Sequence, residues 1–161
     1  MYGVFYIRLS RKKAEQIYMP DSTFEIGKAN TLREGNDATI VASGICVSDA
    51  CRVADKLADE GIHVRVLDMF TIKPIDKDAI IKASKETGAI VTVENHNILN
   101  GLGSAVAEVL SEEAPCRMKR LGVPDCFGEV GTIPFLKEKY HMTEKDIEEA
   151  VKSLISKKDV A

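Results

Sequence analysis

The chain has 161 residues, of which 45% are hydrophobic and 29% charged, enough for one compact soluble domain with a short appendage but not for two full domains. Its 22 Lys and Arg against 25 Asp and Glu give a formal charge of -3, so no global pull toward nucleic acid or anionic membrane is expected. No apolar run reaches the ~20 residues that a bilayer span requires, and the opening "MYGVFYIRLSRKK" lacks the layout of a signal peptide, so a cytoplasmic location is expected.

The segment Val4 to Leu9 is β-branched and aromatic and reads as a buried strand. Residues 10–23, "SRKKAEQIYMPDST", are polar and broken by Pro20, a linker pattern, so the compact domain is expected to start near Phe24. "FEIGKA" (24–29) fits a short edge strand before a turn at Glu34 to Asp37. "ATIVAS" (38–43) is the next strand, and Val47, Ala50, Cys51, Ala54, Leu57 and Ala58 then recur at helical spacing up to Gly61. "IHVRVLDM" (62–69) is a strand. Asp76 N-caps a helix carrying Ile80, Ile81 and Ala83 that stops near Gly88. "AIVTVEN" (89–95) is followed by a helix whose Leu102, Ala105, Val106, Val109 and Leu110 share one face, and "RMKRLGV" (117–123) by two closing helices. The first of these covers about 132–140. The second has Thr143 and Asp146 spaced as a capping box and Met142 and Ile147 as a hydrophobic staple. Such alternation predicts a parallel sheet wound with helices on both faces.

Cys46, Cys51, Cys116 and Cys126 form no C-x-x-C pair and are expected to be buried reduced thiols. The strand-turn-helix "VTVENHNILNGLGSAVAEVL" (91–110) admits two readings: a nucleotide-binding loop, or a turn whose small residues let a helix approach the sheet. Val106 stands where a dinucleotide fingerprint needs Gly or Ala, the glycines arrive late after the strand, and "RMKRLGVP" offers no acid for a ribose, which favours the second. Glu94 and His96, two apart on one strand, can meet on one face. Without a third convergent group they suit a polar cluster at a surface or interface better than acid-base catalysis. His63 and His141 read as structural. Arg8, Arg11, Lys12 and Lys13 could receive an anion such as phosphate or simply solvate the linker. No nucleophile elbow, P-loop or metal-spaced His cluster is present, so neither catalytic nor metal-binding residues are assigned.

"YIRLSRKK", "FEIGKANTLREGNDATIVASG", "HVRVLDMFTIKPID", "IVTVENHNILNGLGSAVAEVL" and "RLGVPDCFGEVG" occur in that order, and together they resemble the carboxy-terminal part of a transketolase over nearly the whole chain. Deoxyxylulose-phosphate synthases and the β subunits of 2-oxoacid dehydrogenases share this domain and form the alternative; Ile72 to Asp76 and Ser10-Arg11 favour transketolase. One departure is Asn100-Gly101 where the family often has two glycines, tolerable because Asn accepts positive φ.

The resemblance implies a three-layer α/β/α fold with a mixed, mostly parallel five-stranded sheet whose first strand is antiparallel. It implies that residues 1–23 are the last strand of a pyrimidine-binding domain plus linker, and 24–161 the carboxy-terminal domain. Transketolases transfer a two-carbon ketol unit between sugar phosphates with thiamine diphosphate and a divalent metal, Mg or Ca. That cofactor lies between other domains, so none is expected on this chain, and the chain is expected to be inactive alone. The implied partners are the thiamine-binding section of the same enzyme, a second copy in a homodimer, and sugar phosphates. Arg11 matches the family's phosphate-binding arginine. A non-catalytic assembly domain is the competing class of function.

Overall fold

The computed structural model describes residues 3–11 and 13–156, so Lys12 and the outermost residues of both expected domains lie outside the described residues. Five strands and five helices follow in the order β1 (Asn30–Arg33), β2 (Ala38–Ala42), α1 (Cys46–Asp59), β3 (Val64–Asp68), α2 (Lys77–Thr87), β4 (Ala89–Asn97), α3 (Leu102–Glu113), β5 (Arg117–Val123), α4 (Ile133–Lys139) and α5 (Glu144–Ile155). They form one sheet, ordered β1-β3-β2-β4-β5. β1 pairs antiparallel with β3 and the other pairings are parallel, with Ile40 of β2 opposite Val66 on one side and Val91 on the other. The expected mixed five-stranded sheet with an antiparallel first strand is therefore present.

The period of two along buried strands sorts side chains into two cores. Ile40, Val66, Val91 and Val93 face α1 and α5, packing on Val47, Leu57, Ile147 and Val151. Val41, Leu67 and Ile90 point the other way onto Ile80, Leu102 and Val106 of α2 and α3. Strands buried on both faces need apolar residues at nearly every position, and β2 and β3 are buried throughout.

Helix ends follow the sequence closely. Asp76 caps α2, its Oδ1 accepting from the Ala79 N–H at 3.1 Å, and its Oδ2 accepts from Ala29 N–H at 2.9 Å, tying the helix start to the residue before β1. Gly88 ends α2 at φ 62°. Thr143 and Asp146 form the expected capping box on α5. Buried Asp49 on α1 receives Arg52 at 2.5 Å and Lys137 of α4, and Arg52 extends to Glu144 on α5 at 2.7 Å, so one carboxylate gathers three helices.

Two strand expectations change. "FEIGKA" is not β1. A turn closed by Lys28 N–H to Glu25 O at 3.0 Å, with Gly27 at φ 85°, interrupts it, and the edge strand begins at Asn30, where the NTLR side chains alternate between half-buried and exposed. Residues 4–9 form no strand here and are exposed, Ile7 at 74% and Leu9 at 83%. Strand propensity needs a neighbour to supply the ladder, and among the described residues no strand pairs with them.

Candidate functional site

The carboxyl ends of β2, β3, β4 and β5 lie together, the position where open α/β sheets bind ligands. At this edge β4 leads into the 98–101 turn and α3. Asn100 takes φ 59°, as expected of an Asn in place of a glycine. Asn97 Oδ1 accepts from Leu99 N–H at 2.8 Å, and Ser104 Oγ accepts from Asn100 N–H at 3.0 Å, which fixes the turn from both sides. Arg120 reaches from β5, donating to Ile98 O at 3.2 Å and Ser104 Oγ at 3.3 Å.

Glu94 governs the start of α3. Its side chain is 1% exposed, and its two oxygens accept from the backbone N–H groups of Leu102 and Gly103, each at 2.8 Å. These amides are among the unpaired donors at a helix N-terminus, where the helix dipole also favours negative charge. The glycine-rich turn thus has the anion-binding form of a phosphate loop, but the anion is the protein's own carboxylate. Gly101 makes this possible, because a Cβ there would stand 2.0 Å from Glu94 Oε2. At Gly103 a Cβ would lie 2.9 Å from Thr92 Oγ1 and from Arg120 Cδ, so small residues do bring α3 close to the sheet. The turn is a packing and capping device, the second of the two sequence readings.

Glu94 and His96 do not work as a pair. Glu94 is turned inward onto α3, while the exposed His96 ring carries Nδ1 3.2 Å from its neighbour's carbonyl, Asn97 O. A short-range pattern showed that both lie at one strand end but not that the following helix claims one of them; the late glycines at 101 and 103 were the available signal. Arg11 is exposed on the amino-terminal arm. Arg8 beside it donates to Asn95 O at 2.9 Å, which brings the arm to the carboxyl end of β4.

Among the described residues the remaining titratable groups do not assemble a catalytic centre. Burial, with Asp49 nearby, pushes the Cys46 thiol up to about 12, so it stays a neutral thiol at physiological pH. Cys46 and Cys51 are buried, as expected; Cys116 is only half-buried, and Cys126 is exposed, because its loop leaves the sheet after β5. None forms a disulfide. His63 N–H donates to Asp37 Oδ2 at 2.7 Å, a turn contact, and His141 sits at φ 54° between α4 and α5. Among the described residues no group of three or more His, Cys, Asp or Glu could hold a metal ion, and no helix is long and apolar enough to cross a membrane.

The sheet's carboxyl edge instead carries exposed apolar surface. Leu99 follows β4, and Phe127, 99% exposed, and Val130 follow β5. A contact surface fits this better than a small-molecule cleft does.

Residues 27–147 match the family described as transketolase, C-terminal domain. A 6-deoxy-6-sulfo-D-fructose transketolase subunit of Clostridium sp. (strain MSTE9) is 46% identical over 157 residues, covering 98% of this chain and 49% of that one. A 1-deoxy-D-xylulose-5-phosphate synthase of Heliobacterium modesticaldum is 41% identical over 134 residues, 83% of this chain and 21% of its own length. Among solved structures, a split gene transketolase described as an inactive beta4 tetramer superposes with a TM-score of 0.86 at 45% identity, over 91% of this chain and 48% of that chain. This chain therefore spans about half the length of the subunits it matches. It is a member of the transketolase family and corresponds to the carboxy-terminal section of those enzymes.

Proposed function

We propose that this chain is one part of a cytoplasmic transketolase split between sections, which transfers a two-carbon ketol unit between sugar phosphates and is inactive until a thiamine-binding section joins it. The observation that carries the reading is the amino-terminal arm, where Val4, Phe5, Tyr6, Ile7 and Leu9 stand exposed beside a fully packed carboxy-terminal domain. A run of apolar, strand-forming side chains without a ladder is a surface waiting for a sheet. Residues 1–23 then belong with the pyrimidine-binding domain of that section, and 24–161 form the carboxy-terminal domain.

The described residues do not themselves fit thiamine diphosphate. The helix N-terminus that would cradle a diphosphate holds the Glu94 carboxylate, and no described cluster suits the divalent metal. Cofactor and metal are accordingly assigned to the other section. The assembled enzyme is taken to contain a pair of copies; the solved split gene transketolase is described as an inactive beta4 tetramer.

Arg11 is our assignment for substrate, as the ligand to the sugar phosphate. Its guanidinium fork matches the oxygens of a phosphate, and equally those of a sulfonate such as the Clostridium relative's name implies. Mixed with a thiamine-binding section, the chain should support ketol transfer from xylulose 5-phosphate to ribose 5-phosphate, as in the pentose phosphate pathway. Arg11→Ala should raise KM for the phosphorylated sugar by about 10- to 100-fold, the range for losing a charge-assisted hydrogen bond, with assembly intact. Turnover by this chain alone would contradict the proposal. The synthase relative is the ground for a deoxyxylulose-phosphate synthase assembly as the second reading, which formation of 1-deoxy-D-xylulose 5-phosphate in place of ketol transfer in the assembled mixture would support.

A further inference from the structure

By composition residues 10–23 are a spacer, yet Glu15 and Tyr18 within them are fastened to the domain. Tyr18 donates its hydroxyl hydrogen to Asp68 Oδ2 at 2.6 Å, and Asn30 Nδ2 donates to the same hydroxyl oxygen at 3.3 Å. The Tyr18 ring meets Phe24 edge-on at 4.7 Å, and Phe24 meets Phe70 at 5.2 Å. Between these contacts and the arm, Glu15 pairs with Arg52 of α1. Burial, helped by the Asp68 carboxylate, holds the Tyr18 phenol well above its ordinary value, so it remains a donor.

The anchors have a simple geometry. Asp68 ends β3, Asn95 lies near the end of β4, and β2 runs between those strands. Arg8 is fastened to Asn95 and Tyr18 to Asp68, with Glu15 held by Arg52 of α1 between them, so the stretch of chain that carries Arg11 is tied to the domain on both sides. A segment fixed at both ends visits far fewer conformations than one free at its end, and that confinement raises the local concentration of any group it carries.

We propose that Tyr18 is a positioning residue, whose latch onto Asp68 and Asn30 sets where the Arg11 guanidinium stands at the sheet edge. This rests on the assignment of Arg11 above. The latch deepens that assignment by making the fastened segment, and not Arg11 alone, the determinant of binding to a sugar bearing a phosphate or sulfonate.

Two measurements test it. Chymotrypsin cleaves after phenylalanine as readily as after tyrosine, so Tyr18→Phe keeps the cleavable bond while removing the latch. Cleavage between residues 18 and 19 of the folded chain should be about tenfold faster in Tyr18→Phe and in Asp68→Ala, and less accelerated in Asp68→Asn, which retains an acceptor. Equal rates would overturn the latch. In the enzyme assembled with a thiamine-binding section, Tyr18→Phe should raise KM for ribose 5-phosphate by roughly three- to tenfold, with kcat and the assembled fraction within about twofold of wild type. Faster cleavage with unchanged KM would overturn the positioning role. If Arg11→Ala also left KM unchanged, the fault would lie in the assignment of Arg11, since cleavage tests the latch without substrate.

Discussion

Two parts of the sheet's carboxyl edge look alike in sequence and end differently in the structure. At the start of α3 the chain meets its own demand, the Glu94 carboxylate filling the anion site that the Leu102 and Gly103 amides create. Along the amino-terminal arm the apolar side chains of Val4, Phe5, Tyr6, Ile7 and Leu9 stay exposed, with only Arg8 tied to the domain. A strand beside glycines and a strand beside arginines both suggest binding, but only the packed structure tells which partner is internal. The closed part makes a rigid frame, and the open part is where our proposal has a second polypeptide enter.

Substitutions can break this contrast from either side. The largest effect is expected at Glu94. Glu94→Ala leaves two buried amides unpaired and should destabilise the chain by roughly 3–5 kcal/mol. Gly101→Ala pushes a methyl group against the same carboxylate and should cost about 2–3 kcal/mol alone, yet little more when added to Glu94→Ala, because the clash has gone. Chemical denaturation of the two single variants and the double variant measures this coupling; additive losses would mean that Gly101 is small for some other reason. The arm should respond in the opposite sense. Ile7→Asp with Leu9→Asp should shift the stability of the isolated chain by less than about 0.5 kcal/mol, since nothing there is buried, while abolishing association with a thiamine-binding section in sedimentation experiments.

Much of the fold was legible because its signals are local. The capping box at Thr143, the cap at Asp76, the stop at Gly88 and the two-sided apolar strands β2 to β4 each depend on residues close in sequence. The edge strand was displaced by several residues, since Phe24 looks like a strand residue in isolation but serves an aromatic cluster with Tyr18 and Phe70. Its antiparallel direction came from family resemblance and not from pattern. At the site, Gly101, Gly103 and Asn100 were recognisable as turn chemistry, but the burial of Glu94 depends on α3 folding back over β4. Tyr18 gives no local signal, because its partners Asn30 and Asp68 are distant in sequence.

Hydrogen exchange at single-residue resolution, on the chain alone and after mixing with a thiamine-binding section, tests the contrast between the closed and open parts most directly. The Leu102 and Gly103 amides should be protected in both states, and the amides of residues 4–9 should exchange freely alone and become protected in the assembled enzyme. Fast exchange at Leu102 and Gly103, or an arm that stays unprotected in an active assembly, would contradict it.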